Sequence, residues 1–184
     1  MIETTKGAPS MPTQPIILSA VDLDDHATDV IAQGARLAAL CQGHLVVVHV
    51  VDYPGGYESD NPFPQRPGDV LDAMVRHARA SLVGMVNHLD LPTEWVQIRV
   101  ETGSVTQTLA DIAGALQPRY CLVGPARLGP LSPSAGLAAA IKGRSDCELL
   151  AVPAQPGGDA HKGLLPRLRH WLARDLGTPA GHAR

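Results

Sequence analysis

The residues best placed to do chemistry lie between Tyr120 and Pro153. An apolar run, Tyr120–Val123, breaks at Gly124, a short Ala-rich stretch follows, and a second apolar run, Leu149–Val152, stops at Pro153. A glycine just past a buried strand lets backbone N–H groups approach a ligand, and that ligand is usually a phosphate. Gly124 and Gly136 outline such a cradle. Arg127 between them has two opposed readings. Its guanidinium can pair bidentately with a phosphate, or its side chain can fill the space the phosphate needs. Pro125, Pro130 and Pro133 each remove an N–H from a loop that would have to donate them. Ser132 and Ser134 offer hydroxyls from neighbouring positions.

Other chemistry finds little support. The chain has eight histidines, and His26, His44, His49, His77 and His88 form no HxH or HExxH grouping, so a metal centre is not expected. The three cysteines, Cys41, Cys121 and Cys147, form no CxxC. Cys121 and Cys147 sit in or beside apolar runs and read as inert buried thiols. Ser104 has no evident base, and no Ser-His-Asp or Cys-His arrangement can be inferred. The chain reads as non-catalytic.

The elements that would position these residues alternate. Ile16–Val21 is an apolar strand ending at Asp22. Asp25 is placed to cap a helix from about His26 to Cys41, with Ala27, Val30, Ile31, Leu37, Ala38 and Cys41 inward and Gly43 ending it. Leu45–Val51 is a β-branched strand. The stretch 53–67 is a long loop dense in Pro, Gly and Asn, with Tyr53, Tyr57 and Phe63 in it. Asp69 opens a second helix whose apolar positions, Val70 to Leu89 and including Met74, recur every three or four residues. Glu94–Glu101 alternates as a strand, and Gly103-Ser104 starts a helix that Pro118 stops. The order predicts an α/β fold, an open parallel five-stranded sheet with helices on both faces. Asp22, Val50, Gly103 and Gly124 then gather at the carboxyl ends of strands, where such sheets bind ligands.

Composition narrows the classes further. A length of 184 residues with 45% hydrophobic content allows one domain with a tail, and 3% aromatic content leaves the core to Val, Leu, Ile and Ala. A net charge of −3 gives no basic field for nucleic acid. No apolar stretch approaches the roughly 20 residues of a membrane span. A cytoplasmic protein is expected, with a disordered lead-in at 1–14, a domain at 15–153 and a linker with a short C-terminal helix at 154–184. In that tail Leu164, Leu165, Leu168, Trp171, Leu172 and Leu176 repeat at helical spacing, and the expectation is a helix that packs on its own domain or across a dimer, with a protein partner or a membrane surface as the alternatives.

Several segments taken together resemble the universal stress protein family. IILSAVD, ending at Asp22, is similar to the family's opening strand, and HVVD, His49–Asp52, to the end of its second. ETGSVTQTLADIA (101–113) is similar to its Gly-containing turn and third helix, and YCLVGPAR and CELLAVP to its fourth and fifth strands. The resemblance implies a Rossmann-like fold of the adenine nucleotide alpha hydrolase type, and a homodimer through the last strand. It also implies a site found in two kinds of member, those that bind ATP and those that do not. Asp22 matches the aspartate that contacts adenine and ribose, Val50 a valine beside the base, and Gly124 the first glycine of the phosphate motif. The motif's second glycine is Arg127 here. Gly136 best matches its later glycine, and Leu137 stands where a hydroxyl belongs.

The leading expectation is therefore a regulatory, stress-response binding protein with a degenerate nucleotide site. The alternative is an ATP- or AMP-responsive switch, with Mg²⁺, in which Asp22, Val50, Gly124 and Gly136 hold the ligand and Arg127 or Ser134 contacts phosphate. A slow ATP hydrolase is the weakest alternative. A protein partner would approach through the C-terminal helix or the 53–67 loop.

Overall fold

The structure is a computed structural model that describes residues 14–52, 67–124 and 136–153. The 53–66 part of the expected loop, Arg127, Ser132, Ser134, the three loop prolines and the C-terminal segment lie outside the described residues.

Among the described residues five strands and four helices alternate: β1 Ile16–Ala20, α1 Ala27–Cys41, β2 His44–Val51, α2 Pro67–His88, β3 Val96–Thr102, α3 Val105–Leu116, β4 Tyr120–Val123, α4 Leu137–Lys142 and β5 Glu148–Ala151. All neighbouring strands are parallel, in the order β3-β2-β1-β4-β5. The near-continuous apolar runs make this possible, because a strand covered on both faces must be apolar at every position. Val46, Val47 and Val48 are consecutive and all buried.

Strand alternation divides the core in two. Ile17, Leu45, Val47 and Leu122 face Val30, Ile31, Leu82 and Val86 of α1 and α2. Leu18, Val46, Val48 and Cys121 face Leu109, Ala113, Leu137 and Ile141 of α3 and α4. The crossovers out to β3 cover one face and those back to β5 the other, so strand order reverses at β1 and β4. On the outer edge at β3, Arg99 Nη2 pairs with Glu101 Oε1 at 2.8 Å, and charges of this kind discourage a further strand from adding there.

Several local expectations need correction. The residue capping α1 is His26, not Asp25, and its side chain makes no capping bond; instead its backbone N–H donates to Asp24 Oδ1 at 3.0 Å. The residue that turns left-handed after α1 is Gln42 (φ 51°), not Gly43. Leu37 and Cys41 are only half-buried, while Gly34, Ala35 and Ala39 join the inner face. The second helix begins at Pro67, two residues before Asp69, with proline at the first helical position where its missing N–H costs nothing. Met74 points outward. The third strand starts at Val96 because Thr93–Trp95 forms a 3₁₀ turn, and it runs on to Thr102.

Candidate functional site

The reversal of strand order opens a crevice at the carboxyl ends of β1 and β4, the usual ligand position in an open parallel sheet. Register places the expected residues along it. Ala20 pairs with Val48 on one side and Val123 on the other. One step further, Val21 lies level with His49 and with Gly124. Asp22 follows where the backbone leaves the ladder, at the same end of the sheet as Val50.

Val50 is buried on the α3/α4 face together with Ala20 and Val123, so these three make an apolar floor. Asp22, half-buried, stands at the rim beside that floor. Gly124 stands on its other side. Among the described residues no atom lies within 4 Å of where a Cβ on Gly124 would be, and its φ is not positive. Gly136 differs, because it begins α4 with φ 93°, a left-handed conformation that favours glycine. Gly103 has φ 130° and leads into Ser104, the N-cap of α3, whose hydroxyl makes no capping bond.

The phosphate side fares worse. Leu137, the residue after Gly136, is fully buried against α3 and the sheet. A side chain at that position points into the core, so the place where a phosphate-binding hydroxyl was sought is filled by an apolar anchor. Arg144, at the end of α4, is tied to Asp111 of α3 (Nη1 to Oδ1, 2.9 Å), while Gln117 Nε2 donates to the Arg144 and Gly114 carbonyls. Those contacts fix α4 against α3 at the end of the helix remote from Gly136.

One polar contact at the crevice was not legible in the sequence. His49 Nδ1 lies 2.9 Å from the Val21 carbonyl oxygen, 28 residues earlier in the chain. The available signal was a histidine set between the valines of β2, Val46–Val48 before it and Val50–Val51 after it.

Among the described residues, no group of three or more His, Cys, Asp or Glu side chains is arranged to hold a metal ion. No helix among them is long and apolar enough to cross a membrane. A small hollow of about 20 Å³ lies at the far end of the sheet, between Ala35, Ala39, Leu45, Leu91, Trp95 and Val96, all of them apolar.

A family model, that of the universal stress protein family, matches residues 15–153, the span that holds all five strands. The chain belongs to the universal stress protein family. Among solved structures, it is similar to a universal stress protein family member from Burkholderia pseudomallei, at 22% identity and a TM-score of 0.55, over 79% of this chain and 100% of that one. It is also similar to the universal stress protein UspA from Lactobacillus plantarum, at 18% identity and a TM-score of 0.55, over 77% of this chain and 99% of that one. At these identities the likeness is one of fold. No curated protein matches the sequence significantly.

Proposed function

We propose that this universal stress protein is a non-catalytic regulatory binding protein whose nucleotide site is degenerate: the nucleoside half is kept and the phosphate half is lost. The burial of Leu137 carries this reading, because the position where the family motif has a hydroxyl is held by an apolar side chain packed in the core. Asp22 beside an apolar floor of Ala20, Val50 and Val123 supports the retained half, since an adenine ring needs a flat apolar surface and a ribose needs an acceptor for its hydroxyls. In this reading the residues toward the ligand are Asp22, Val50, Gly124 and Gly136, with Arg127 and Ser134 assigned from sequence alone.

Calorimetric titration with AMP, cyclic AMP and ATP, each with and without Mg²⁺, tests this. AMP and ATP are expected to bind within about threefold of each other, a difference under ~0.7 kcal/mol. Asp22→Ala is expected to weaken both by about tenfold, the loss of one charge-assisted hydrogen bond. Mg²⁺-dependent ATP binding more than tenfold tighter than AMP would instead establish an intact phosphate cradle and the ATP-responsive switch, a reading favoured by the left-handed Gly136. Absence of heat for every nucleotide, with the protein folded, would remove the nucleoside site as well.

The same reading includes a homodimer through β5. That strand pairs only with β4 among the described strands, and Leu149 and Leu150 are half-buried within a four-residue edge. An edge of this kind is usually covered. Sedimentation at micromolar concentration should show a dimer, for the full chain and for a chain ending at Pro153. A monomer in both would exclude β5 pairing. A dimer lost only on truncation would assign the contact to the C-terminal segment.

A further inference from the structure

We propose that His49 is a positioning residue for the strand-end crevice: its ring holds the Val21 carbonyl, and so fixes the peptide that carries Asp22. The contact is short, 2.9 Å from Nδ1 to the carbonyl oxygen. A carbonyl oxygen only accepts, so Nδ1 donates and the ring proton of the neutral form sits there and not on Nε2.

The place of this bond in the sheet gives it its purpose. β1 ends at Ala20, and Val21 N–H still continues the ladder by donating to Val48 at 2.9 Å. The carbonyl of the same residue is met by a side chain. His49 thus extends the hold of β2 on this chain by half a residue, at the point where the backbone leaves the sheet toward α1. The next residue is Asp22. Without that donor, the Val21 carbonyl loses its side-chain partner at the point where the chain leaves the sheet, and the peptide that leads into Asp22 is held less firmly.

Alternation gives His49 and Val50 complementary tasks. Consecutive strand residues face opposite sides of a sheet. Val50 faces α3 and α4 and forms the crevice floor, so His49 lies on the opposite face and reaches β1 from behind. One dipeptide therefore sets both the floor and the rim. The turn that follows is independently ordered by the Asp24 carboxylate accepting from His26 N–H, so the link from Val21 to α1 is pinned at both ends. The consequence for a ligand rests on the nucleoside-binding reading above; the geometric claim does not.

Two substitutions separate the donor from the bulk. His49→Asn keeps an amide N–H near the position of Nδ1, and His49→Leu keeps comparable volume without a donor. His49→Leu is expected to lower AMP affinity about tenfold, the worth of one positioned hydrogen bond, and His49→Asn to restore it to within about threefold. In the ligand-free protein, amide hydrogen exchange at residues 22–26 should quicken in His49→Leu and return toward wild type in His49→Asn. Long-range ¹⁵N NMR of the wild-type ring should show the proton on Nδ1. An Nε2–H tautomer overturns the proposal, as do exchange rates unchanged in His49→Leu, or lost equally in both variants. If the wild-type protein binds no adenine nucleotide, the function proposed above fails, and the tautomer and exchange measurements still decide the role of His49.

Discussion

Gly34→Ala is expected to destabilise this protein by about 1–2 kcal/mol, and Ser19→Ala in the same chain is expected to abolish that loss. On helix propensity alone the first substitution should help, since alanine in place of a mid-helix glycine gains about 1 kcal/mol. The packing reverses the sign. A Cβ on Gly34 would stand well inside contact distance of the Ser19 hydroxyl, and 2.9 Å from Leu45 Cδ1. Ser19 is fully buried in β1, and its hydroxyl donates to the Val30 carbonyl of α1 at 3.4 Å, so turning it away breaks the only bond it is seen to make. Overpacking of this sort costs about 1–3 kcal/mol, more than the propensity gain. Once Ser19 is alanine the hydroxyl is gone, its Cβ lies at an ordinary 3.4 Å, and the mobile end of Leu45 can give. In that background Gly34→Ala should be neutral or stabilising. Urea denaturation of the four proteins in the cycle measures the coupling. Additive effects would show that α1 does not lie this close to β1.

The same pair of residues illustrates what sequence could and could not carry. Unbroken apolar runs with helices between them are sufficient for a parallel sheet, because only a strand covered on both faces has reason to be apolar at consecutive positions. That is why the strands emerge within one or two residues of their observed ends. Contacts between elements are a different matter. Gly34 reads locally as a weak point in a helix, and its cause is a hydroxyl on a strand fifteen residues earlier. The cap of α1 was misplaced because Asp24 and Asp25 are both chemically able to accept, and only the turn decides which one reaches the His26 N–H. Gln42 took the left-handed position although a glycine followed it, since Gly43 is needed where the Pro15 carbonyl presses against the chain.

At the site, Asp22, Val50 and Gly124 were legible because strand ends are legible. The direction of Leu137 was not, because a residue following a glycine can face either the ligand or the core. Its full burial is a fact of how α4 docks on α3. His49 was one histidine among eight in the sequence, and a hydrogen bond to a carbonyl 28 residues away leaves no periodic trace.

The largest pH effect is expected at alkaline pH, from Cys121. Its thiol is pushed up to about 12 from an ordinary 9.0, first by burial and second by the neighbouring Cys147. Cys121 is fully buried in β4, where burial disfavours the charged thiolate. In the unfolded chain the same thiol ionises near its ordinary value. Above about pH 9 the unfolded state therefore binds fewer protons than the folded state, and stability falls as pH rises. The contribution is constant below that point, declines by roughly 1.4 kcal/mol per pH unit, and levels off near 12. Lysines and tyrosines titrate in the same range, so the informative quantity is a difference. Cys121→Ala should be less stable than wild type at pH 8 through lost packing, and the gap should narrow from pH 9 to pH 11. It should reverse if the packing loss is smaller than the ionisation effect. Parallel stability curves for the two proteins over that interval would show that the thiol is not held in a dry core. Because Cys121 stands three residues before Gly124, the strand lost to alkali is the one that carries the crevice, so ligand affinity and fold should fail together and not in separate steps.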